Sequence, residues 1–136
     1  MSQTITASHR NILLKGAAVT AVLFGVLTVA SGGRVLFGSD DARRAAGAIV
    51  GFVLWFNFVA GFAYVVAGLG LWLRRRSAVP MAGLIAVATA TVFAAFGVHV
   101  WSGGAYELRT VAAMSLRLAV WAAIAWIGYR RLWRNG

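Results

Sequence analysis

Four long apolar runs organise the chain. They cover residues 11–31, 46–73, 79–101 and 110–129, with short polar or basic stretches between them. A helix needs about 20 apolar residues to cross a hydrocarbon core about 30 Å thick, and each run is long enough. The pattern predicts an all-α fold: an integral membrane four-helix bundle forming one domain over residues 1–136. The polar start, MSQTITASHR, leads into more than fifteen apolar residues with no small-residue cleavage site after a short core. That reads as a retained first span rather than a removed signal peptide.

The breaks between runs predict how the spans connect. The second connection, RRRSAVP, is too short for anything but antiparallel neighbours, and Pro80 then falls in a first helical turn, where its missing N–H costs nothing. SDDARRAAG reads as a helix start, with Ser39 as cap and Asp40 and Asp41 in the first turn. The second helix is therefore expected to begin beyond the hydrocarbon and project from it. Ser31-Gly32-Gly33 and Ser102-Gly103-Gly104 read as the C-terminal caps of the first and third spans. A duplicated helical hairpin is the other reading of that echo.

Lipid tails are as apolar as leucine, so helices associate in a bilayer through close packing and interhelical hydrogen bonds. Small residues at spacing four mark the expected strips: Ala17, Ala21 and Gly25; Gly47 and Gly51; Ala82, Ala86, Ala90 and Ala94. Asn57, Gly61, Tyr64 and Gly68 share one face of the second span, with Asn57 as interhelical glue or as a ligand contact.

Composition agrees with lipid as solvent. The chain is 61% hydrophobic and 12% charged, against about 45–50% and about 25% in soluble domains. Thirteen basic and three acidic residues give a net charge of +10. In a soluble protein that balance would suggest nucleic acid; here the charges fall between spans and set orientation, and no nucleic-acid partner is expected. One side carries eight basic groups and no acid: Arg10, Lys15, Arg74, Arg75, Arg76, Arg130, Arg131 and Arg134. The other carries Arg34, Arg43, Arg44 and Arg109 with all three acids, Asp40, Asp41 and Glu107. The positive-inside rule then places both termini in the cytoplasm of a cell inner membrane. Trp72, Tyr129 and Trp133 would form the inner aromatic belt, and Trp101 and Tyr106 the outer one.

Chemistry is sparse. There is no cysteine, which excludes disulfides, cysteine-ligated clusters and covalent haem. No Walker loop, HExxH or GxSxG motif occurs, so no catalytic or metal-ligating residue is assigned and no cofactor is expected. The reading favours a protein that is not an enzyme.

The one concentration of polar groups is HVWSGGAYELRT, residues 99–110, with Arg117 two turns further on. If the hairpin folds back, His99, Tyr106, Glu107, Arg109 and Arg117 line a shallow outward-facing pocket, with Asn57 level with the Arg117 guanidinium. Counted from Thr110, Arg117 lies about 10 Å into its helix. Snorkelling to the headgroups or an inward partner would relieve its insertion cost of ~3 kcal/mol. Three readings of the pocket stay open. A Glu107–arginine network pins the hairpin. Or arginines and His99 or Tyr106 bind an anionic or quinone-like headgroup. Or His99, Glu107 and Tyr106 perform acid–base chemistry, for which no supporting motif exists.

FVAGFAYVVAGLGLWLRRRSAVPMAGLIAVATATVF, across the second and third spans, resembles the corresponding region of DoxX-like small membrane proteins. The resemblance implies a four-helix membrane bundle that accompanies redox enzymes, with quinone as the associated cofactor. The acid often met in that family's second span is absent, Asn57 being the strongly polar group there, and SGGAYELRTVAAMSLR has no counterpart. No functional residue is transferred. The expected function is an accessory or structural subunit of a membrane complex, with membrane lipids and a protein partner or homo-oligomer around it. The alternatives are a redox-linked protein binding quinone or an anionic lipid headgroup, and a small dimeric transporter.

Overall fold

The computed structural model describes the backbone of residues 2–134 and the side chains of residues 8, 9 and 11–134. The side chain of Arg10, counted above in the basic flank, lies outside the described residues. Five α-helices follow one another: α1 (Ser2–Phe37), α2 (Asp40–Ala46), α3 (Gly51–Trp72), α4 (Ala78–Trp101) and α5 (Leu108–Gly128). A π-helical segment, Tyr129–Arg134, continues α5. Four stretches are long and apolar enough to span a membrane: Asn11–Phe37, Gly51–Trp72, Ala78–Trp101 and Leu108–Arg134.

α4 starts one residue before the apolar run at 79–101 and ends with it, with Pro80 in its first turn. The others shift. The Ser31-Gly32-Gly33 stop does not operate, and α1 runs on to Phe37. Two things carry the helix through. The Ser31 hydroxyl is satisfied inside the helix by the Thr28 carbonyl at 3.2 Å. Gly32 lies flat against Phe58 of α3, where a Cβ would come within 3.3 Å of the Phe58 Cβ. Phe37 then closes on Trp55 and Phe58 edge to face. The companion stop at Ser102-Gly103-Gly104 does operate: Gly103 takes φ +87° and the Gly104 N–H bonds the His99 carbonyl at 2.9 Å.

The second span does not begin at 46. Ser39 caps a separate short helix, α2, its hydroxyl accepting from the Ala42 N–H at 3.4 Å, with Asp40 and Asp41 in the first turn. A turn at Gly47, φ +76°, separates α2 from α3. Gly47 and Gly51 therefore form no packing strip: one is in the turn, and a Cβ on the other would meet nothing within 4 Å.

The close helix contact lies deeper. Gly25 of α1 faces Gly61 of α3, where a Cβ would stand 2.6 Å from the Gly61 carbonyl oxygen; one on Gly68 would stand 2.9 Å from that of Ala18. Ala17, Ala18 and Ala21 are buried along this seam with Tyr64 and Ala67. On α4 only the start of the alanine strip is used. Ala82 is buried but Ala90 and Ala94 are exposed, and the buried line passes instead through Ile85, Thr89 and Phe96. At 3.6 residues per turn a strict spacing of four advances about 40° each step, so the strip walks off the packed face. The main core joins α1, α3, α4 and α5 around Tyr64, Leu71, Ala82, Trp121 and Ile124. A smaller one, Val50, Val53, Phe96 and Met114, sits under the α4–α5 hairpin.

Basic groups gather at the opposite end. Lys15 Nζ lies 5.3 Å from the Trp72 ring centre. Arg74 donates to the Asn11 side-chain oxygen. Trp133 Nε1 donates to the Arg76 carbonyl at 3.1 Å. The start of the first span, the α3–α4 turn and the π-helical segment thus meet at one end of the bundle.

Candidate functional site

The polar residues singled out by sequence separate into three groups. The first is a clamp. Glu107 precedes α5 in extended conformation, and its Oε1 accepts from the Ala48 N–H at 2.9 Å. Arg109 reaches the same segment from the first turn of α5, its Nη2 donating to the Ala45 carbonyl at 3.0 Å and to that of Ala46 at 3.4 Å. These carbonyls end α2, where a cation suits unpaired acceptors and the negative end of the helix dipole. Arg43 does the same for α1, with Nε and Nη2 on the carbonyls of Val35 and Leu36 at 3.1 and 2.9 Å. The expected Glu107–arginine network is not what forms. Each charge takes a backbone partner in the 45–48 turn, and the one ion pair among the described residues is the exposed Arg44–Asp41 contact at 3.4 Å. Such a pair adds little to stability.

The second group is aromatic. His99 lies between Phe96, 6.5 Å away and nearly parallel, and Phe52, 6.3 Å away and edge-on. Its Nε2 is 3.1 Å from the Ala105 carbonyl. A carbonyl can only accept, so this nitrogen carries the proton. Tyr106 stands edge-on to Phe96 at 6.3 Å. Both side chains fix the hairpin to the small core beneath it.

The third group is deep. Arg117 does not join the hairpin. Because α5 begins at Leu108, Arg117 is the tenth of its 21 residues, about 14 Å along the axis. Its guanidinium carbon lies 5.9 Å from the ring centre of Phe24 on α1. Its Nε is buried without a hydrogen-bond partner. One turn along α5, Trp121 packs on Tyr64 at 4.7 Å, and Tyr64 lies 6.2 Å from Phe24. Tyr64 and Trp121 are fully buried, and the Tyr64 hydroxyl and Trp121 Nε1 have no partner. Thr89, beside them in the core, donates its hydroxyl to the Ile85 carbonyl at 2.7 Å.

Asn57 is not hydrogen-bonded to Arg117. Its Oδ1 is buried and unpartnered, and the side chain borders a cavity of about 120 Å³ with Val35, Ala46, Val53 and Thr110. The residues sequence reasoning passed over are Trp121, Thr89 and Phe24. Trp121 follows Arg117 by four and so shares its face. Phe24 carries no signal, since nothing local says which ring meets the guanidinium. Comparison with protein-family models, with curated proteins and with solved structures finds no match for this chain.

Proposed function

We propose that the protein is a non-enzymatic accessory subunit of a membrane assembly, seated in a bacterial-type inner membrane with both termini in the cytoplasm. One observation carries the reading: Arg117, halfway along α5, has its Nε buried without a hydrogen-bond partner and forms no ion pair among the described residues. Charged side chains at that depth are costly, ~3 kcal/mol on insertion scales, and as a rule are matched by a partner. A bundle that leaves one unmatched is incomplete by itself. Orientation follows from eight basic groups at one end against four at the other.

Glu107, Arg109, His99 and Tyr106 support this reading by what they do instead of chemistry: they tie the hairpin to the α2–α3 turn and to Phe96. The quinone-binding alternative, to which the DoxX-like resemblance points, has less support. The cavity beside Asn57, about 120 Å³, falls below the ~300–1,000 Å³ of small-molecule sites, and the larger one of about 420 Å³ lies at the opposite end, by Arg76, Ser77, Pro80 and Trp133. The test is purification of the tagged full-length protein from its native membrane in mild detergent, with mass spectrometry of what travels with it. The expected result is a different integral membrane protein in near-stoichiometric amount. Recovery of the chain alone, or with only copies of itself, contradicts the proposal.

A further inference from the structure

The depth of Arg117 narrows what its complement can be. On α5 it is the tenth of 21 residues, and the ring it covers, Phe24, is the fourteenth of the 27 residues in Asn11–Phe37. Phe24 lies midway along its span, and Arg117, about a third of the way into Leu108–Arg134, sets its guanidinium beside that midpoint. Half a hydrocarbon thickness, about 15 Å, separates such a point from either headgroup layer. The guanidinium carbon lies 5.9 Å from the centre of the Phe24 ring, so the side chain is anchored at the level of that ring. A lipid phosphate is out of reach.

The chain itself offers no counter-charge at that depth. Its three acids are Asp40, Asp41 and Glu107, all at the hairpin end, with Glu107 bonded to Ala48. A second copy brings only the same three acids, at the same height. A neutral carbonyl supplies an acceptor but no charge. What remains is a carboxylate carried into the membrane on another protein, and the planar guanidinium fork matches a carboxylate with two parallel hydrogen bonds. Arg117 is half-buried, so the α1–α5 seam leaves it open to an approaching helix.

We propose that the α1–α5 seam at Arg117 is the docking point for a transmembrane helix of a different protein carrying an aspartate or glutamate at mid-depth. This rests on the accessory-subunit reading and gives it a partner chemistry. The ring of Phe24 holds the guanidinium at the seam, and the incoming carboxylate neutralises it.

The test uses the full-length protein in phosphatidylcholine vesicles and a fluorescent polyleucine helix with one central glutamate, beside helices with glutamine or leucine there. Energy transfer is expected to show the glutamate helix binding about tenfold or more tighter than the other two, as close charge pairs across an interface can provide. Arg117→Met abolishes that preference, and Arg117→Lys, which keeps the charge but loses the fork, retains only part of it. Equal association of the three helices with the native protein overturns the proposal, whether or not Arg117→Met folds. So does a co-purified partner with no acid within its spans, or one held equally by Arg117→Met. Those outcomes leave the accessory reading standing; absence of any different partner is what removes it.

Discussion

Gly47 and Glu107 depend on each other. Gly47 sits at φ +76°, and a Cβ there would collide with the Glu107 carboxylate. With ψ −139° this is a positive-φ region essentially reserved for glycine, costing other residues about 1–3 kcal/mol. Gly47→Ala should therefore lower stability by ~2 kcal/mol or more in detergent melting. Glu107→Ala should cost ~1–3 kcal/mol by stranding the Ala48 N–H, while Glu107→Gln, which keeps a carbonyl acceptor, should lose less than half of that. The double variant Gly47→Ala/Glu107→Ala should fall short of the sum, because removing the carboxylate removes the collision. Tyr64 makes the opposite case. Its hydroxyl is buried beside Thr89 but makes no hydrogen bond of sound geometry, so Tyr64→Phe should melt within about 0.5 kcal/mol of the native protein or above it, whereas Tyr64→Ala should lose ~3–5 kcal/mol through the cavity it leaves. A large loss in Tyr64→Phe would mean the hydroxyl has a partner after all. At this scale the sequence singles out Glu107 and Arg109 but not the backbone groups they bind. Backbone groups at 45–48 leave no trace in side-chain identity, so a network among charged side chains is the natural expectation.

At the scale of elements, packing of α1 on α3 depends on glycines that admit a backbone. A Cβ on Gly61 would lie 2.7 Å from Val29 Cγ2 and 3.1 Å from the Gly25 carbonyl. Gly61→Val should force the helices apart and cost ~1–3 kcal/mol, as overpacking does. The same change at Gly83, where a Cβ meets nothing within 4 Å, should leave melting in detergent almost unmoved. Equal effects at both positions would show that α1 and α3 do not approach as described. Spacing alone identifies the Ala17–Ala21–Gly25 strip and the Gly61–Tyr64–Gly68 face, since both stay on one side of a helix over their short length. It misplaces Gly47 and Gly51, because a GxxxG spacing is identical in a helix and across a turn. It misses the end of α1, because Gly32 and Gly33 are cap signals locally and packing surfaces only once Phe58 is beside them. Tertiary contact decides between those roles, and a single sequence does not contain it.

For the whole molecule, two ends are built differently. One gathers Lys15, Arg74, Arg76 and Trp133 with no acid. The other is knotted by Arg43, Glu107 and Arg109 onto helix ends and the α2–α3 turn. Between them lies Arg117, its Nε buried without a hydrogen-bond partner, on which the proposed function rests. The proposed arrangement has four crossings, with the basic end facing the cytoplasm and the clamp outside. The absence of cysteine from the chain gives a clean background for single-cysteine labelling at exposed Ser8, Ser77, Ser39 and Ser102. With a membrane-impermeant maleimide on intact cells, Ser39→Cys and Ser102→Cys should label at once, and Ser8→Cys and Ser77→Cys only after the membrane is permeabilised. Labelling of Ser77→Cys and Ser102→Cys from the same side would contradict the four-crossing arrangement and the mid-membrane position of Arg117 with it.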